Sequence, residues 1–223
     1  ALVALVAVRF AVPDVLKRCT QAVQQRNTVR FAAIALLLTG LIGGTVTLLT
    51  WLFADGGNVS GFVSAALPLA AGLIRNLLLL LGICLLTGVY EEAFMRVLGI
   101  EAFERALDTK RAILASAALF ALLHVGAPDV SAGQLVLLQT ALKFGQALLF
   151  GVILGALYAR TRRLWPCAFI HAGFDILYMA PNVLLTGTMP ETYASGAVGD
   201  TVLLAVSVLM LSGIVLKIRK EIA

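Results

Sequence analysis

Tyr90-Glu91-Glu92-Ala93-Phe94-Met95-Arg96 sets two adjacent carboxylates and a guanidinium near the end of a long apolar run that includes Leu77-Leu78-Leu79-Leu80-Leu81. On insertion scales each ionised side chain deep in a bilayer costs roughly 2.5–3.5 kcal/mol, so three of them close together mark a place where charge is used. Glu92 and Arg96 are four residues apart and share a helix face, which lets them pair. Glu91 is turned by about 100° from Glu92 and has no local partner, which leaves one structural Glu and one poised to take a proton. The same seven residues also suit a purely structural cluster that locks the helix to its neighbours.

The two histidines fall in apolar stretches as well: His124 in Phe120-Ala121-Leu122-Leu123-His124, and His171 in His171-Ala172-Gly173-Phe174-Asp175. At about 1.5 Å rise per residue, Glu91 lies roughly 13 Å from the basic end of its helix, His171 roughly 12 Å, Asp175 roughly 18 Å and His124 roughly 20 Å. Four ionisable groups on three helices therefore share one slab of the bilayer. His171 and Asp175 are four apart, so the carboxylate can orient or charge the imidazole. In a desolvated chamber a carboxylate helped by a histidine deprotonates water for attack on a carbonyl, and the second histidine with its neighbour stabilises the oxyanion. Peptide-bond hydrolysis fits these roles. Zinc held by two His and a Glu is an alternative, although HExxH is absent. A serine nucleophile fits poorly, since neither Ser64 nor Ser116 stands in a signature.

The elements that must position these groups are membrane helices. Of 223 residues, 61% are hydrophobic and 13% charged, with mean hydropathy +0.99, which excludes an ordinary soluble domain and predicts an all-α polytopic membrane protein. The net charge of +5 is a topology signal here and no nucleic-acid signature. Cys19, Cys84 and Cys167 show no paired spacing and read as free thiols. The sequence opens on Ala1, which reads as numbering that starts inside a longer precursor.

Residues 1–30 are expected to form an apolar and then basic membrane-surface segment, with Lys17, Arg18, Arg26 and Arg30. Residues 1–12 suit a truncated span, a signal remnant or an interfacial helix. A bundle of about six spans over residues 31–223 follows. The first covers 31–53, with Gly40-Leu41-Ile42-Gly43-Gly44 as a small-residue packing face. The second lies within 62–99, where Pro68 and Gly72 separate a lead-in from a helix that ends at the Glu-Glu cluster. Residues 101–111 read as a surface helix or loop. The third span, 112–125, is short and is closed by Gly126, Pro128 and Asp129. The fourth, 134–159, carries Gln139, Lys143 and Gln146 as an inward polar stripe. The fifth starts at Trp165-Pro166 and runs to about Leu185, kinked or ended by Pro181; the sixth reaches Leu216. Placing the amino terminus inside puts Arg30, residues 105–111, Arg160–Arg163 and Lys217–Lys220 on one side, while Asp55, Asp129, Glu191 and Asp200 lie opposite. That predicts both termini in the cytoplasm.

Glu91-Glu92-xxx-Arg96, Phe120-xxx-His124 and His171-xxx-Asp175, in this order on successive helices, resemble the CAAX-protease and bacteriocin-processing family of intramembrane proteases. The resemblance covers residues 80–178. It implies that Glu91 and His124 activate water, that His171 and position 175 form the oxyanion site, and that Glu92, Arg96 and Phe120 support them. One position departs: the best-understood members carry Asn where this chain has Asp175, and an ionised Asp cannot donate to an oxyanion. The expectation is a glutamate-dependent endopeptidase of a prokaryotic plasma membrane, without metal or cofactor, entered by its substrate from the cytoplasmic side. The substrate is a membrane-associated or lipidated (CAAX-type) protein or peptide, and partners include membrane lipid but no nucleic acid. A non-catalytic scaffold or bacteriocin self-immunity protein that binds a peptide is the alternative. A proton-coupled transporter is a third reading, against which stands the lack of paired broken helices in inverted repeat.

Overall fold

A computed structural model describes residues 2–11, 26–54, 72–125, 131, 133–186 and 193–222. Lys17, Arg18, Cys19, Asp55, Ser64, Pro68, Gly126, Pro128, Asp129 and Glu191 lie outside the described residues. The described residues form seven helices: α1 Leu2–Ala11, α2 Arg26–Ala54, α3 Leu73–Phe103, α4 Thr109–Val125, α5 Gln134–Thr161, α6 Leu164–Thr186 and α7 Val198–Ile222. Five of them (α2, α3, α5, α6 and α7) are long and apolar enough to cross a bilayer. The 17 residues of α4 reach only about 25 Å at 1.5 Å per residue, just short of a typical hydrocarbon core. Five full spans and one short one make the all-α bundle of about six spans that the composition requires. Large apolar side chains such as Ile74, Leu78, Leu123 and Leu209 are exposed on its outside, where lipid tails replace water.

Two boundaries depart from the sequence expectation. First, α3 does not end at the glutamates. It continues as a π-helix over Ala93–Ile100 and a final α turn at Glu101–Phe103, because Ala93, Arg96, Val97 and Ile100 give this stretch a buried face of its own. Second, α4 starts at Thr109, so only a short turn separates it from α3. The end of α6 meets the expectation: it runs through Pro181 to Thr186. A proline cannot donate to the carbonyl four residues back, here Leu177, and that carbonyl faces Gly44 so closely that a Cβ there would collide with it. The small-residue face of α2 is what lets the interrupted helix pack.

α6 is the central strut, packed on α3 and α2; α5 packs on α4 and α7, and α7 closes on α2. α1 lies against the π-helical stretch of α3 with Ala4 and Val8 fully buried. Cys84 and Cys167 are buried free thiols. The basic helix ends collect at one end of the bundle. There the Lys217 ammonium lies 4.6 Å over the Phe31 ring, and Arg162, in a left-handed cap with φ 51°, closes α5.

Arg162 also ties α5 to the end of α3. Its guanidinium donates to both oxygens of Glu104, at 2.7 Å from Nη2 to Oε1, and Nη1 lies 3.4 Å from Glu101 Oε1. Thr109 Oγ1 donates to Glu104 at 2.8 Å. The Arg162 hydrogen bonds hold the Glu104 carboxyl below its ordinary 4.5. A carboxylate depressed in the folded state contributes stability above its unfolded pKa and loses it as pH falls through the folded one. The gap in thermal midpoint between wild type and Glu104→Gln should therefore be full at neutral pH and close below about pH 4. A gap undiminished at about pH 3 would show that charge contributes nothing there.

Candidate active site

The site begins with a glycine. A Cβ on Gly88 would lie 2.6 Å from the Ala168 carbonyl oxygen and 3.3 Å from the Ala172 methyl, so α3 and α6 touch backbone to backbone one turn before Glu92. This approach lets Glu92 reach across. Glu92 and Arg96 are both 0% exposed. Arg96 Nε donates to Glu92 Oε2 at 3.0 Å, and His171 Nδ1 on α6 lies 2.8 Å from Glu92 Oε1. A carboxylate only accepts, so Nδ1 carries the proton and donates. Arg96 is further fixed by Ser116 on α4, whose Oγ accepts from Nη1 at 3.4 Å and donates to the Met95 carbonyl. The Phe120 ring lies under the guanidinium at 4.8 Å. Ser116 is thus committed to holding Arg96.

With Nδ1 fixed, His171 Nε2 must face the other way. It lies 3.6 Å from Glu91 Oε2 and 3.4 Å from Asp175 Oδ2. Carboxylates therefore flank both ring nitrogens. His124 approaches from α4: its Nδ1 is 2.9 Å from the Phe120 carbonyl, an acceptor, so Nδ1 donates and Nε2 is left to face the site. His124 Nε2 is 3.8 Å from Glu91 Oε2. Rings of Phe120 and Phe150 pack against the two imidazoles, at 4.2 Å for Phe120 on His124 and 4.8 Å for Phe150 on His171. Glu91, His124, His171 and Asp175 thus meet in space, with Glu92, Arg96 and Phe120 behind them. Glu91 Oε2 is buried and accepts no hydrogen bond from the protein. Its separations from the two Nε2 atoms are too long for direct bonds and suited to a bridging water.

One contact was not singled out from the sequence: the bond from Glu92 to His171, 79 positions away, which no local spacing signals. Lys143, expected on the inward polar stripe of α5, lines the same cavity as His124, His171 and Asp175, and the space continues past it toward Thr140 and Ala194. Among the described residues no group of three or more His, Cys, Asp or Glu is arranged to hold a metal ion.

Residues 73–177 match the family model for type II CAAX prenyl endopeptidases, Rce1-like. The matched stretch is similar to that family, runs from the start of α3 into α6 and contains Glu91, Glu92, Arg96, Phe120, His124, His171 and Asp175. The resemblance drawn from the three motifs is therefore matched over this stretch by a family of CAAX prenyl endopeptidases. No curated protein and no solved structure matches the chain.

The Gly88 contact makes a direct prediction about the matched stretch. Gly88→Ala should lower the thermal midpoint in detergent by several degrees, as overpacking costs about 1–3 kcal/mol. Gly82→Ala on the same helix, where a Cβ meets nothing within 4 Å, should leave it unchanged or raised. Equal midpoints for both variants would show that α3 and α6 do not depend on this approach.

Proposed function

We propose that the chain is an intramembrane endopeptidase that hydrolyses a peptide bond of a membrane-associated protein or peptide, with Glu91 as the base. The observation that carries this reading is the Glu91 carboxylate oxygen, buried, unbonded and aimed at the Nε2 atoms of two imidazoles across gaps of 3.6 and 3.8 Å. A water held there can be deprotonated by Glu91 while His124 Nε2 accepts its second hydrogen. The water oxygen then bonds to the substrate carbonyl carbon, and the carbonyl electron pair moves onto oxygen. On collapse the C–N bond breaks and the leaving nitrogen takes the proton from Glu91. Atoms and charges balance, and the base is restored.

Asp175 acts in this scheme through His171. An ionised carboxylate has no hydrogen to give an oxyanion, but its oxygen 3.4 Å from Nε2 orients the ring. Glu92 does the same at Nδ1. The Rce1-like match supports a lipidated terminus of the CAAX kind as one substrate class, and unlipidated peptides of the membrane surface are the other.

Cleavage of quenched-fluorescent peptides in detergent, with and without a prenylated cysteine and with a chelator present, tests the reading. Wild type should cut and keep its activity in chelator, and Glu91→Gln should lose about 10²–10⁴-fold in kcat, the usual contribution of a general base. Equal activity of both proteins would sink the assignment, and stoichiometric zinc in the active protein would overturn the metal-free scheme. Asp175→Asn should keep substantial activity, because an amide still orients His171; complete loss would show that the carboxylate itself is required.

A further inference from the structure

The scheme leaves the oxyanion poorly served. Glu91, Glu92 and Asp175 only accept when ionised. His171 gives Nδ1–H to Glu92 and has Nε2 between two carboxylates. His124 gives Nδ1–H to Phe120. The amide nitrogen of Gln146 donates to the Tyr178 hydroxyl at 2.9 Å. The cavity lined by His124, His171, Asp175 and Gln146 has one more polar wall, Lys143.

Lys143 Nζ lies 3.1 Å from Gln146 Oε1. An ammonium can only donate, so the Gln146 oxygen must face it and the Gln146 nitrogen must face Tyr178, which is the arrangement seen. Tyr178 is in turn 3.4 Å from Ser207 Oγ on α7. The ammonium is therefore held by a polar chain that crosses α5, α6 and α7, with the Tyr193 ring 5.6 Å from it. Of its three hydrogens one goes to Gln146, leaving donors for the cavity. Arg96 and Lys143 bring two basic side chains to a site that holds three carboxylates, Glu91, Glu92 and Asp175.

We propose that the Lys143 ammonium is the oxyanion-stabilising donor of this chain, supplying from α5 the hydrogen bond that Asp175 on α6 cannot give. This rests on the peptidase reading above. As water oxygen bonds to the carbonyl carbon, the negative charge that develops on the carbonyl oxygen meets Lys143 N–H; Lys143 transfers no proton and is released when the C–N bond breaks. A positioned donor of this kind is worth about 10²–10³ in kcat.

The test measures kcat, KM and thermal midpoint for wild type, Glu91→Gln, Lys143→Met, Lys143→Gln and Lys143→Met/Asp175→Asn on peptides with free and with amidated carboxyl termini. Lys143→Met should lose about 10²–10³-fold in kcat with KM within about threefold of wild type, on both kinds of peptide. Adding Asp175→Asn should return at least about tenfold of that loss, since the amide restores a donor beside the carbonyl. Lys143→Gln keeps an N–H without the charge and should fall between wild type and Met; it carries the test if the Met variant does not fold. Wild-type kcat in both single Lys143 variants overturns the proposal. So does a loss confined to KM on free-carboxylate peptides, which would make Lys143 an anchor for the substrate's carboxyl terminus. A wild type no more active than Glu91→Gln would instead overturn the peptidase reading, whatever Lys143 does.

Discussion

Glu92 has no solvent around it, and its charge is met by Arg96 on its own helix and by His171 from α6. Burying two charges costs several kcal/mol per ion, and their attraction compensates only when the remaining lone pairs and protons are also matched. Here they are: Arg96 reaches Ser116 on α4 and lies over Phe120, and the second carboxylate oxygen of Glu92 goes to His171. One ion pair thereby draws α3, α4 and α6 to a point. It also decides which nitrogen of His171 looks into the cavity, so the arrangement of the groups that line it is inherited from the packing of an ion pair buried behind them.

The parts of the site that a sequence reveals are those set by one helix. Glu92 with Arg96, His171 with Asp175 and Phe120 with His124 are each four apart, and each pair touches in the structure. Counting depth from the basic ends was enough to expect Glu91, His124, His171 and Asp175 at one level. Contacts between helices were not legible, because a bundle's rotations are fixed by side-chain packing that no periodicity encodes. So Glu92 reaching His171 came only with the structure, and the inward stripe on α5 told that Lys143 faces the interior but not that it meets His124 and Asp175 there. The same limit explains the boundaries. Pro181 allowed either a kink or an end within a span expected to reach about Leu185, and α6 continues to Thr186, with Gly44 on another helix leaving room for the freed carbonyl. The apolar run around the leucines gave the span, while the π-helical extension past Glu92 depends on a buried face made by residues of α1 and α4.

Between helices in lipid there is little hydrophobic drive, since tails are as apolar as leucine. This bundle holds together through close backbone contact and polar links. Gly88 brings α3 onto α6, and Gly151 brings α5 onto α4, where a Cβ would stand 3.0 Å from Ala117. Gln139 at the far end donates to the Ala197 carbonyl and Thr201 and accepts from Gly196, binding α5 to the start of α7. Lys143, Gln146 and Tyr178 continue the stripe toward the cavity. The polar face of α5 is therefore both a seam and a wall of the site.

The π-helical stretch Ala93–Ile100 separates two parts of α3 with different duties. Before it, Glu91 and Glu92 address α6 and α4; within it, Arg96, Val97 and Ile100 address α4 and the core. A π turn closes its hydrogen bond over one more residue than an α turn. Losing a single residue here would let the stretch relax to α-helix and would swing one part about 100° against the other, carrying Glu91 off the imidazoles while every side chain of the site remained present. Among descendants of this chain, exchanges of Met95 or Leu98 for other apolar residues would be absorbed by lipid and neighbours. A gap of one would not, and the length of this short segment is a property that inheritance has to keep.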